Sequence, residues 1–271
     1  MRVLSVFGWL FGLLFAGCAF YVVFTFSFAF LGRAQARRAH VLRAALIELL
    51  VTLVMMPLWP LWWLIGASYQ ASVEGEGDAG GNRHPVILLH GFGMNRTNWL
   101  WLGSRLAARG IGPLYGASYF SPQSVRRSAQ GLRDFVEKVV VLEDAEKVDI
   151  VAHSLGGVVA RYYIERLGGA RRVGRLITIA SPHRGTVLGR LGLVPSAREL
   201  MGGSPLIADL GTPRSDVAYT SIWSRADNVV VPAESASIAP AGEDRVFDDL
   251  GHLSLLLSPR VLDVIAERLA A

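Results

Sequence analysis

The sequence predicts an α/β domain with a mainly parallel sheet flanked by helices, preceded by two membrane-spanning helices. Three observations carry this. Residues 1–66 hold five Arg and one Glu, while the remaining 205 residues hold 22 Lys+Arg and 21 Asp+Glu, so an apolar block precedes a domain of ordinary composition. From residue 84 onward, short continuously apolar runs alternate with stretches of helical period, the pattern of a parallel sheet with helical crossovers. One serine, Ser154, sits in a small-residue turn between such a run and the next helix.

The 271 residues allow one or two folded units at roughly 150 residues each. With 52% hydrophobic and 18% charged residues the chain is too apolar to be disordered. Most of its net charge of +5 lies in the first 66 residues, which excludes a strongly basic nucleic-acid binder despite the pI of 9.7. Cys18 is the single cysteine, so there is no intrachain disulfide and no Cys-ligated zinc or nucleophilic Cys in the domain.

Residues 3–31 carry no formal charge, and about 20 apolar residues suffice to cross a bilayer. A cleaved signal peptide is the first rival, but the apolar run continues through Tyr21, Val22, Val23 and Phe24. A lipoprotein signal at Phe15-Ala16-Gly17-Cys18 is the second, with an atypical Phe and no polar stretch after the cysteine. A second helix is expected over about 44–66, interrupted by Pro57 and Pro60, with Trp59, Trp62 and Trp63 where an interfacial aromatic belt would lie. Its alternative is an interfacial or re-entrant segment. Arg33, Arg37, Arg38 and Arg43 lie between the two stretches. The positive-inside rule puts that loop in the cytoplasm and the domain on the non-cytoplasmic (periplasmic or extracellular) side; with one span only, the domain would lie inside. Residues 67–83, Gly-rich from 72, read as a linker.

The domain spans 84–271. Strands are expected at 86–89, 113–119, 148–152, 175–180, 219–224 and 245–247. Helices are expected at 97–109, at 124–142 with Val125, Leu132, Phe135, Val136 and Val139 near one face, at 155–167 ending in Gly168-Gly169, and at 259–269. In such a sheet, chemistry belongs at the carboxyl ends of the strands.

Ala152-His153-Ser154-Leu155-Gly156 occupies the turn between the third strand and its helix. Small neighbours let the backbone turn sharply and lift the Ser154 hydroxyl above the sheet edge. Ala152 stands where this turn usually has Gly, and a plain N-cap serine is the alternative. A serine needs a base oriented by a third group. His252 follows the last strand and Asp227 the one before it, giving the order Ser, Asp, His; Asp248 and Asp249 are rival acids too close in sequence to His252. His153 should point away from Ser154, His90 should brace its own loop, and His183 should cap the following segment. Two backbone N–H groups are needed to receive developing negative charge, from Leu155 and from Phe92 in His90-Gly91-Phe92-Gly93.

Residues 84–93, 147–157, 219–227 and 251–256 together resemble an α/β-hydrolase of the small bacterial lipase type, the class 2 or lipase A-like lipases. The resemblance covers nearly all of 84–270 and none of 1–83. It implies hydrolysis of lipid-like carboxylic esters without a cofactor, with Ser154 as nucleophile, Asp227 as acid, His252 as base, and Phe92 and Leu155 at the oxyanion hole. The same fold also serves phospholipases, thioesterases and acyltransferases, and a non-catalytic binding module is the further alternative. Hydrophobic ester substrates and the membrane are the expected partners; the sequence carries no signal for an oligomeric state. No phosphate loop and no metal-ligand spacing occur. Residues 183–213 form a stretch of about 30 residues with weak strand signal, a length unusual without a functional reason, which reads equally as a lid or as a packed helical excursion. Trp99 and Trp101 are candidates for a pocket wall or for core.

Overall fold

The computed structural model describes residues 2–31, 38–65, 84–211, 213 and 216–271. The expected linker at 67–83, Arg33, Arg37 and the side chains of Arg38, Trp59, Trp62 and Trp63 lie outside the described residues.

Six strands form one all-parallel sheet: β1 (Val86–Leu89), β2 (Leu114–Ala117), β3 (Val148–His153), β4 (Val173–Ile179), β5 (Ala218–Ser224) and β6 (Glu243–Phe247). The first three strands are entirely or almost entirely buried, because both faces of the sheet are covered and an alternating pattern would leave polar groups in the core. Ile87, Leu89, Ile150 and Leu176 point to one side, where α4 (Val125–Leu142) and α5 (Leu155–Arg166) pack. Val86, Leu88, Val151 and Ile177 point to the other, against α3 (Leu100–Ala107) and α8 (Pro259–Ala270). Trp99 is fully buried in this second layer and Trp101 packs against it, so both are core.

The strand order is β2-β1-β3-β4-β5-β6. The chain winds outward from β1 to β2, then returns to β3 and winds the other way. The reversal leaves a crevice above the carboxyl ends of β1 and β3, where the two connections part. Ser124, expected as the first residue of the helix 124–142, instead caps α4 by accepting from Arg127 N, and Gly168 ends α5 in the left-handed conformation, as the Gly168-Gly169 stop required. The expected helix at 97–109 instead begins as a 3-10 turn, Arg96–Trp99, because the Asn95 side chain accepts from Thr97 N and tightens the entry. Residues 183–213 hold a 3-10 turn (Val187–Leu191), α6 (Pro195–Glu199) and α7 (Pro205–Leu210). Glu199 accepts from Val125 N and Ser196 donates to Ser121 O, which ties this segment to the start of α4.

Two long helices precede the domain, α1 (Arg2–Leu31) and α2 (Arg38–Ile65), the second starting six residues before its expected place. Among the described residues only Gly12–Phe30 in α1 is long and apolar enough to cross a membrane, so the expectation of two spans is corrected to one candidate. Part of each helix is nevertheless covered by the domain, while Phe20 and Val23 of α1 and Leu46 and Leu50 of α2 stay exposed. Val22 and Phe26 of α1 and Ala44 of α2 cluster with Ala226 of the domain, and Met55 packs on Leu253. Arg43, near the start of α2, lies 3.5 Å from Asp249 of the domain.

Candidate active site

Ser154 stands between the end of β3 and the start of α5 with φ 53° and ψ −123°, a positive-φ conformation that L residues rarely adopt. The turn closes only because its neighbours are small. A Cβ on Gly156 would stand 2.6 Å from the carbonyl oxygens of Leu89 and His90, one on Gly157 would collide with Ser181, and one on Gly91 would come 3.0 Å from the Ser154 Cβ. The glycines therefore let the β1 loop lie directly on the serine turn.

His252 follows β6 and Asp227 follows β5. The His252 Nδ1 lies 3.0 Å from Asp227 Oδ2, and Asp227 Oδ1 accepts from Val229 N and Val230 N at 2.8 and 2.9 Å. Asp227 is thus held from both sides, as a turn residue and as a partner of the imidazole. The rival carboxylates are engaged elsewhere: Asp248 with Arg225 at 2.7 Å and Asp249 with Arg260 at 2.8 Å. Burial disfavours charge on His252, but the Asp227 carboxylate, its hydrogen bond and the charge of Glu48 outweigh it and raise the pKa above the ordinary histidine value.

Ser154, His252, Leu253 and Phe92 line one cavity of about 360 Å³, together with Gly93, Met94, Leu188 and Val229. Leu155 begins α5 with its side chain buried and its N–H in the turn beside Ser154. His153, expected to pack away from Ser154, also lines the cavity. Its ring lies 4.7 Å from that of His252, and its Nε2–H donates to the His252 carbonyl at 3.3 Å. His90 braces its loop as expected: Tyr119 N donates to Nε2, Nδ1–H donates to Gly91 O, and the ring stacks on Tyr119. His183 is buried with Nε2 beside Thr178 Oγ1, while its carbonyl accepts from Arg161. Among the described residues no three His, Cys, Asp or Glu side chains gather to hold a metal ion.

The family model for Lipase (class 2) matches residues 83–252. The chain belongs to the class 2 lipase family. A triacylglycerol lipase of Burkholderia plantarii is 30% identical over 143 residues, covering 49% of this chain and 39% of that enzyme. An uncharacterized protein of Mycobacterium tuberculosis is 33% identical over 140 residues, covering 49% of this chain and 38% of its own length. The chain therefore spans less than half the length of these relatives. Among solved structures, the mature Bacillus licheniformis lipase BlEst2 superposes with a TM-score of 0.65 at 15% identity, covering 74% of this chain and 97% of that one. Aspergillus fumigatus lipase B gives 0.59 at 19% identity, covering 73% of this chain and 54% of that one. These two likenesses show the fold.

In this member of the class 2 lipase family the cavity has walls that the matched region does not supply. Tyr21 and Thr25 of α1 and Met55 of α2 line it together with Ser154. The sequence marked these helices only as apolar. Glu48, the single acidic residue in the first 66, was the available signal, because a lone carboxylate in an apolar helix needs a partner.

Proposed function

We propose that the chain is a serine hydrolase that cleaves lipid-like carboxylic esters through an acyl-enzyme. The observation that carries this is the 3.0 Å Asp227–His252 hydrogen bond beside Ser154, on its positive-φ turn, in a cavity walled by apolar side chains. With Asp227 holding the Nδ1 proton, His252 Nε2 is free to accept the Ser154 hydroxyl proton as Oγ bonds to the ester carbonyl carbon. The N–H groups of Leu155 and Phe92 receive the oxyanion. Collapse breaks the C–O bond, and the leaving alcohol takes the proton from His252. Water then attacks the acyl group, gives its proton to His252, and the acid leaves as that proton returns to Ser154 Oγ.

The triacylglycerol lipase relative and the apolar lining favour long acyl esters at a membrane, with α1 as the anchor. The Arg43–Asp249 pair supports the arginine loop and the domain on one side of that membrane. Phosphatase and fluorescent-protein fusions at the C-terminus test this. Phosphatase activity would support the non-cytoplasmic domain expected from two spans, and fluorescence alone would support the cytoplasmic side. For the chemistry, the Ser154→Ala variant should lose p-nitrophenyl ester turnover and fluorophosphonate labelling while folding normally. Retained turnover would refute the assignment. Triglyceride, phospholipid and thioester panels, with product analysis, separate the hydrolase from a transferase.

A further inference from the structure

We infer that the N-terminal helical pair is a working part of the active site, with Glu48 of α2 as a positioning residue for the His252 loop. Glu48 is fully buried, and its two carboxylate oxygens accept from consecutive backbone N–H groups, Leu253 N at 2.8 Å and Ser254 N at 2.9 Å. A buried carboxylate is costly unless hydrogen-bonded, so these two bonds account for an acidic residue in the apolar stretch that follows Arg43. They also fix the backbone directly after the imidazole. His252 N itself donates to Asn228 Oδ1 at 2.9 Å, and the Asn228 amide donates to Thr25 Oγ1 of α1 at 2.7 Å. Ala226, one residue before Asp227, packs on Val22, Phe26 and Ala44. The two helices therefore hold both the turn that carries Asp227 and the loop that carries His252.

This inference rests on the serine-hydrolase reading. Its logic is geometric: a displacement of about 1 Å in a catalytic group can cost on the order of 100-fold in rate. The full-length chain in detergent is compared with Glu48→Ala, Glu48→Gln and Leu46→Ala, the last on the exposed face of the same helix. Active sites are counted by fluorophosphonate titration, and kcat per titrated site and KM are measured with a short-chain p-nitrophenyl ester. Glu48→Ala should lower kcat per site about 10- to 100-fold with KM within about 2-fold, as expected for a misplaced catalytic group. Glu48→Gln, which keeps one acceptor oxygen, should restore part of the loss, and Leu46→Ala should leave kcat unchanged. Wild-type kcat per titrated site in Glu48→Ala, even with a lowered melting temperature, would overturn the inference. A wild type that neither labels nor turns over would overturn the hydrolase reading and this inference with it.

Discussion

Gly251 and Glu48 meet because Gly251 has no side chain: a Cβ there would stand 2.5 Å from the Glu48 Oε2 and 2.8 Å from its Cδ. The loop bearing His252 and a helix some 200 residues earlier in the chain thus interlock through the absence of one methyl group. The Gly251→Ala substitution should push the carboxylate off one of its two N–H donors where water does not reach, costing about 1–3 kcal/mol. In a Glu48→Ala background the same change should cost much less, since the space is vacated. Urea denaturation of the four proteins in this cycle measures the coupling; simple additivity would show that the contact carries no energy.

Backbone strain at Ser154 gives a second expectation. Removing the hydroxyl in Ser154→Ala keeps the Cβ and hence the strain, whereas Ser154→Gly removes both. Relief of about 1–3 kcal/mol, less about 0.5–1 kcal/mol for the freer unfolded chain, should leave the glycine variant about 1 kcal/mol more stable than the alanine variant, although neither turns over ester. Equal melting curves would contradict the strained turn.

Asp227→Asn preserves shape but offers an amide N–H₂ or a neutral oxygen to the imidazole. The Nδ1 proton is then no longer held by a carboxylate, and kcat should fall on the order of 10⁴-fold. In the wild type, the acidic limb of kcat/KM should lie above the ordinary histidine value, because His252 must lose its proton to act and its pKa is raised. In the variant the main raising cause is gone, burial prevails, and the limb should move to lower pH. A pH–rate profile with a soluble ester reads both effects.

Acid should destabilise the fold through its buried neutral histidines. Burial lowers the His90 pKa to about 4, with its Gly91 hydrogen bond opposing only in part, and burial also lowers His153 and His183. A histidine with a depressed folded pKa contributes stability that is present above its unfolded value, about 6.5, and is lost as pH falls towards the folded one. For His90 that window, from about 6.5 to 4, corresponds to about 3 kcal/mol at 1.36 kcal/mol per pKa unit. His252, raised instead, works with the opposite sign, its contribution fading as pH rises. Urea melts between pH 7 and 4.5 should show falling stability, with a shallower slope in His90→Gln.

Much of the domain was legible because its elements are written in local periodicity. The apolar run Val86–Leu89, the helix expected at 124–142 and the Gly168 stop of α5 each sit where short-range pattern put them, within one residue. The entry to α3 was less so, since one Asn95 side-chain bond turns its first four residues into a 3-10 turn. His153 is buried, as a packing residue should be, but its neighbour was not legible. Alternation along β3 says which face a side chain takes, but not that the His252 loop will arrive above it.

By itself the sequence determined the parallel α/β architecture and the order of Ser154, Asp227 and His252, because both depend on period, turn residues and strand ends. Only the tertiary structure decided that parts of α1 and α2 pack on the domain. An apolar helix looks the same whether lipid or protein covers it, since burial of hydrocarbon is non-directional. Which cover it has depends on contacts such as Glu48 with Leu253 and Ser254, and Thr25 with Asn228, each spanning about 200 residues and written in no local pattern.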